Sequence, residues 1–190
     1  MALWNAPHKV RIPMPGWVRQ HGQSAGLGGY VYESKSAAPC ASRSVSWMKW
    51  VTRERARVDR IACPWLIRNF VDREAVFLFV PAERVLEVAK SEGATPFDIP
   101  GVELGHHGEY CSFDSIVKKY AIGDPAVLEM AKVVRGADTS DRNLTPESPG
   151  LNSIAEGFRA IAMDDFDNMS KQFYVYDALH AFFKAKAGQK

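Results

Sequence analysis

KWVTRERARVDRIACPWLIRNFVDREAVFLFVP, residues 49–81, is the stretch on which the fold turns. KWVTRE reads as a first strand. VFLFVP is an unbroken apolar run of strand length bounded by Pro81, the pattern of a strand covered on both faces. Between the two, DRIACPWLIRNFVD predicts a helix. Asp59 serves there as N-cap or first-turn anion, and Pro64 sits near enough to the start to be tolerated or to delay the helix by a turn. Strand, helix and strand in quick succession imply a small sheet packed on helices.

Downstream, AERVLEVAKSEG predicts a second helix, with Val85, Leu86, Val88 and Ala89 inward and Gly93 closing it. Phe97 to Ile99 reads as a further short strand, and VELGHHGEYCSFD leads into a helix over SIVKKYAI. DPAVLEMAKVVRG has Asp124 as cap, Pro125 at the first helical position and Gly136 at the end, the usual asymmetry of helix termini. TPESPGLNSIAEGFRAIAM and FDNMSKQFYVYDALHAFFKAKAG complete a helical C-terminal half. In the last helix Phe173, Tyr176, His180 and Phe183 recur at helical spacing as a core-facing stripe. The expected class is α/β (α+β type), helix-rich with a small sheet, as one domain over residues 48–190.

Upstream of Met48 the pattern stops. Residues 1–47 are rich in Gly, Pro and Ser (GQSAGLGGY, ESKSAAPCASRS) and lack helical or strand periodicity. They predict a disordered tail, or a start assigned too far upstream, although Trp4, Trp17 and Trp47 argue mildly against pure disorder. Lys9, Arg11, Arg19, Lys35 and Arg43 against Glu33 give this segment +4. Taken from the chain's +2, that leaves −2 for the remainder, so the basic balance belongs to the tail.

A chain of 190 residues with 46% apolar residues buries one sizeable core and is short for two. Cys40, Cys63 and Cys111 are too few and too dispersed for a disulfide framework, which points to a reducing compartment. No window approaches the roughly 20 apolar residues that cross a bilayer. Pro13, Pro15 and Gly16 break the one apolar N-terminal stretch, unlike a secretory signal. A cytoplasmic protein with no membrane partner is expected.

Chemistry concentrates in three clusters. In HHGEYCSFD, residues 106–114, an extended chain would project His107, Glu109 and Cys111 on one face, with His106 and Tyr110 on the other. Imidazole, carboxylate and thiolate suit Zn, Fe or another first-row divalent metal, and three ligands leave room for water or substrate. The bland alternative is a surface loop with polar histidines and a buried structural cysteine. Asp114 sits at what looks like a helix start, where a carboxylate meets the helix dipole and where free N–H groups could receive an oxyanion. In DRIACPWLIR, Asp59, Arg60 and Cys63 lie within one helical turn, so a guanidinium near the thiol would lower its pKa. Otherwise Cys63 is a small buried hydrophobe and Arg60 pairs with Asp59 or Glu54. VRGADTSD offers Arg135, Asp138 and Asp141 at a helix end, and YDALH offers Tyr176, Asp177 and His180, the last most often a core histidine. Lys49, Arg53, Arg55, Arg57 and Arg60 against Glu54 and Asp59 make a basic run, usually a solvated face.

The strings TRERARVDRIACPWLIRNFVD, FLFVPA, ELGHHGEYCSFD, VRGADT and YDALHAF, in this order, resemble the C-terminal domain of the ChrB family of chromate-resistance proteins, from about Trp50 to Phe182. The resemblance implies a role in resisting chromate. It also implies that Asp59, Arg60, Cys63, Pro64, His106, His107, Cys111, Asp114, Arg135, Asp138, Tyr176 and Asp177 are signature positions. Longer members look like regulators of a chromate efflux gene and carry an added N-terminal domain that this chain lacks, which weighs against DNA as a partner. The family label includes export, whereas the N-terminus here has no signal.

Three functions compete. The first is a sensor or accessory protein of chromate stress, with His106, His107, Glu109 and Cys111 on a metal ion while Arg60 and Arg135 hold a small oxyanion such as chromate. The second is a metal- or thiol-dependent oxidoreductase or hydrolase, with Asp59, Cys63 and Cys111 as candidate catalytic groups. The third is a transcriptional regulator using the basic run near Arg55. Self-association and enzyme status stay open at this level.

Overall fold

A computed structural model describes residues 48–188. The expectation for residues 1–47 falls outside the described residues. The chain runs β1 (Lys49–Arg53), α1 (Val58–Phe70), β2 (Val76–Val80), a 3-10 turn (Ala82–Arg84), α2 (Val85–Glu92), β3 (Thr95–Pro96), α3 (Ser112–Lys119), α4 (Pro125–Asp138), α5 (Ser148–Ile161) and α6 (Asp165–Ala187). The three strands form a parallel sheet in the order β2-β1-β3, with Val51 opposite Leu78 and Pro96. The helix-rich α/β class read from the sequence is the class observed.

β1 is the strand covered on both faces. Trp50, Val51 and Thr52 are fully buried in it, while β2 lies at the sheet edge and buries only Phe77 completely. The apolar run of β2 therefore misled the assignment of the central strand, because hydrophobicity alone does not say which strand is flanked on both sides. β3 falls two residues earlier than Phe97–Ile99; Phe97 instead makes an isolated bridge to Leu104. α2 buries only Val85, which packs with Val51 of the central strand, and Leu86 is exposed. Gly93 ends it in the left-handed region at φ 61°, as its position predicts.

α1 begins at Val58, so Pro64 does not delay it and lies inside the helix. Its missing N–H removes one helical hydrogen bond, and the dense packing around it carries the element: Ile61, Ala62, Cys63, Trp65, Leu66 and Ile67 are all buried. α6 is bound to α1 at two polar points. Trp65 Nε1 donates to Asp177 Oδ1 at 2.7 Å, and the Tyr176 hydroxyl donates to the Val58 carbonyl at 3.1 Å. Of the predicted stripe on α6, Tyr176 and Phe183 are buried, and Phe173 packs at the margin of the core.

α4 runs two residues past Gly136, to Asp138. A Cβ at Gly136 would stand 2.3 Å from Ser148 Oγ, so this glycine allows α5 to approach α4 closely. Ser148 Oγ donates to the Val133 carbonyl at 3.0 Å across that contact. At the other end, Asp124 Oδ1 accepts from the N–H groups of Ala126 and Val127 at 2.9 and 3.0 Å and faces His180 Nε2 at 3.3 Å.

Burial would raise the Asp124 carboxyl, but the Val127 N–H, His180 and the Ala126 N–H outweigh it and hold the pKa below the usual carboxylate range. A depressed carboxylate stabilises the fold above its unfolded value and loses that contribution as pH falls through its folded one. Asp124→Ala is expected to cost about 1 kcal/mol near neutral pH. In urea unfolding, its gap from the parent protein should narrow below about pH 4.

Candidate functional site

The strongest concentration of charge lies where the first turn of α1, the start of α3, the end of α4 and the loop from Asp98 to His106 meet. Asp59 is the buried pivot, 1% exposed. Its Oδ1 accepts from the Phe113 N–H at 3.1 Å and from Cys63 Sγ at 3.3 Å, and its Oδ2 accepts from the Ser112 N–H at 2.7 Å. The carboxylate thus satisfies first-turn donors of α3, not of its own helix, where the N-terminus would otherwise be buried without partners. The Asp59 N–H in turn donates to Asp138 Oδ1 at 3.3 Å.

His106 Nε2 stands 3.2 Å from Asp98 Oδ1, 3.3 Å from Asp59 Oδ2 and 3.4 Å from Asp138 Oδ2. One ring nitrogen therefore faces three carboxylates. Asp98 is separately anchored: its Oδ2 accepts from Arg53 Nη2 at 3.1 Å and forms an ion pair with Arg60 Nε at 3.1 Å, and its Oδ1 accepts from Ser112 Oγ at 3.3 Å. Burial pushes Asp59 up to about 6, against the lowering effect of His106 and with the repulsion of Asp138 and Asp98. Burial would do the same to Asp98, but His106, Arg60 and Arg53 together hold it below its ordinary value. The carboxylates of Asp138, Asp59 and Asp98 push His106 up to about 12.

A second polar group adjoins the first. Arg135 lies one turn before Asp138 on α4, with its guanidinium 5.0 Å from the Tyr110 ring centroid and 3.9 Å from Asp114 Oδ1. Its Nε is buried without a hydrogen-bond partner. Asp114 closes a capping box on α3: its Oδ2 accepts from the Cys111 N–H at 3.1 Å.

The predicted ligand and nucleophile sets are rearranged. Residues 107–110 form a tight turn, not an extended strand. His107 and Tyr110 exchange backbone hydrogen bonds at 3.0 and 3.1 Å, and Gly108 sits at φ 61°. The turn breaks the two-residue alternation, so His107, Glu109 and Cys111 do not share a face. His107 Nε2 meets the Glu103 carbonyl at 2.9 Å, Glu109 is exposed, and Cys111 is buried at the start of α3. His106, expected to point away, is the histidine that reaches the carboxylates. Arg60 does not activate Cys63 either. Its guanidinium faces Asp98 and the carbonyls of Arg53 and Glu54, while burial and then Asp59 push the Cys63 thiol well up. Burial and the nearby carboxylates do the same to Cys111. Arg53 and Arg57 of the basic run are likewise occupied, by Asp98 and Glu156.

Asp59, His106 and Asp138 were each legible as unusual residues, but their convergence was not. Nothing in the string PFDIPG singles out Asp98; its left-handed backbone at φ 51° marks the position in the fold alone.

Fold and centre together define a helix-rich α/β protein built around three carboxylates, two of them buried, and one partly exposed histidine. The sequence matches the family described as ChrB, C-terminal domain, over residues 50–183, and the chain belongs to that family. It is 28% identical over 138 residues to Protein ChrB of Cupriavidus metallidurans (strain ATCC 43123 / DSM 2839 / NBRC 102507 / CH34), an alignment covering 72% of this chain and 41% of that protein. The chain thus spans well under half of that relative's length. No solved structure matches it. No helix among the described residues is long and apolar enough to cross a membrane.

Two buried thiols with raised pKa values are expected to resist alkylation. Iodoacetamide at mildly alkaline pH should leave Cys63 and Cys111 unmodified in native protein and modify both after unfolding, as read by peptide mass spectrometry. Rapid native labelling of either would contradict the burial described.

Proposed function

We propose that this chain is a chromate-resistance protein and that residues 48–190 form its ligand-responsive domain, a sensor or accessory module whose charged centre takes up a metal ion or a small oxyanion such as chromate. Membership in the ChrB C-terminal family supports the biological setting. The observation that carries the biochemical reading is the convergence of Asp59, Asp98 and Asp138 on the partly exposed His106 at the margin of the apolar core. Such a cluster is costly to bury and is poorly explained as a device for stability, whereas it suits a site whose charge is completed by a ligand. Its members come from α1, α4 and the loop before α3, so occupancy would bear directly on how these elements pack.

Of the two arginines expected at an oxyanion, Arg135 is the better placed. Arg60 turns its Nε to Asp98 and its Nη1 to two carbonyls, and its side chain is 12% exposed. Arg135 keeps an unpartnered Nε, rests on Tyr110 and is only distantly paired with Asp114, so its fork has donors left for a tetrahedral dianion. The thiol-reductase reading is disfavoured by the raised pKa values of both cysteines. A DNA-binding role for the basic run is disfavoured by the pairing of Arg53, Arg57 and Arg60 with carboxylates.

Chromate is expected to raise the thermal midpoint of the purified full chain in a concentration-dependent way, with sulfate as the isosteric comparison. Arg135→Ala should reduce the response at least about tenfold in apparent affinity, with Arg135→Lys restoring it incompletely because a bidentate fork is lost. No shift with millimolar chromate, whether or not divalent metals are added, would sink the sensor reading.

A further inference from the structure

The centre holds two kinds of carboxylate. Asp98 has cationic partners in Arg53 and Arg60. Among the described residues no Lys or Arg forms an ion pair with Asp59 or Asp138, whose charged neighbour is His106: both turn an oxygen toward its Nε2. We propose that Asp59, His106 and Asp138 are the protein ligands of one divalent first-row cation, of the Mn²⁺, Fe²⁺ or Zn²⁺ class, with at least one coordination position left for solvent or a second ligand. The inference rests on the reading of this centre as the ligand site and names what that site holds first.

Distances are the first support. The ligand atoms of these three residues all lie within 4.8 Å of one another, and the imidazole nitrogen stands 3.3 and 3.4 Å from the two oxygens. Donors about 2.1 Å from a tetrahedral metal are about 3.4 Å apart, so the spacing is that of a first coordination shell. It is a poor spacing for hydrogen bonds, since charge-assisted N–H···O contacts close to about 2.7–2.9 Å and one N–H cannot aim at several acceptors at once. Asp98, though 3.2 Å from the same nitrogen, does not join the mutually close set.

The second support is the way each carboxylate is held. Asp59 Oδ1 is fixed by the Phe113 N–H and Cys63, and Asp138 Oδ1 by the Asp59 N–H. Each is thereby oriented so that its Oδ2 faces the imidazole, as outer-shell donors orient metal-bound carboxylates. Charge gives the third. The two carboxylates match the charge of a dication, while Asp98 stays matched by its arginines. Two oxygens and one nitrogen favour hard or borderline cations over Cu⁺, and Cys63 and Cys111 play no part as ligands because their thiols face carboxylates of the protein itself. The His106 side chain is 40% exposed, which supplies the route for a cation and for the remaining ligand.

The test uses the full chain, freed of metal by chelator and titrated with Co²⁺, Mn²⁺ and Zn²⁺. Binding of about one equivalent is expected, with a rise in thermal midpoint and a Co²⁺ visible spectrum that Zn²⁺ displaces. His106→Ala and Asp138→Asn should each weaken binding at least about tenfold, whereas His107→Ala and Glu109→Gln should leave it unchanged. Circular dichroism confirms that the variants fold. Should Asp138→Asn not fold, the His106→Ala titration decides alone, because that side chain is partly exposed and lies in a loop. No stoichiometric binding, or binding that survives His106→Ala but is lost in His107→Ala, overturns the proposal. Stabilisation by chromate in metal-free protein, with no response to any cation, would overturn the metal site while leaving the sensor reading standing. Silence toward both would remove the two together.

Discussion

The backbone N–H groups of Ser112 and Phe113 end on a carboxylate from another helix, and the rest of the structure is arranged around that bond. Asp59 lies in the first turn of α1, yet its oxygens face the first turn of α3. A buried anion carried by one helix serves the N-terminus of another. A helix start sealed away from water must find acceptors, and here the acceptor also fixes the angle at which α3 meets α1. The loop carrying Asp98 and His106 is drawn into the same place, because Ser112 Oγ donates to Asp98 and Asp98 in turn holds Arg53 and Arg60.

That arrangement sets opposing demands on the interior. Trp50, Trp65, Phe97, Phe113 and Tyr176 form a conventional apolar core that stabilises the fold by removing large surfaces from water. Beside it stand carboxylates whose burial works the other way. Their mutual repulsion is relieved in part by a proton on His106 and in part by the raised pKa of Asp59. Proteins tolerate such local disadvantage at places where chemistry or recognition requires it, and the surrounding core supplies the margin.

The sequence was most legible where a single element settles the matter. β1, α1, the start of α4 at its Asp124 cap, and α6 stand where the local pattern puts them. It was least legible where neighbours decide. VFLFV looks more buried than the strand beside it, and only the sheet order shows β1 in the middle. The same holds for the centre. HHGEYCSFD marks a region rich in donors, but the choice between His106 and His107 depends on a turn centred near Gly108 that reverses which side chain points inward. Asp98 and Asp138, 40 residues apart in the chain, meet at His106 only through the packing of α4 on α1 and α3, which no local spacing encodes.

The close approach at Gly136 places a mechanical constraint on this centre. Ser148, at the head of α5, presses where a side chain would otherwise be, and its hydroxyl grips the Val133 carbonyl one turn before the site. Arg135 and Asp138 lie on either side of Gly136 itself. Any side chain larger than hydrogen at this seam would drive α5 away from α4, so the last turn of α4, which carries Arg135 and Asp138, is locked at close range to the head of α5.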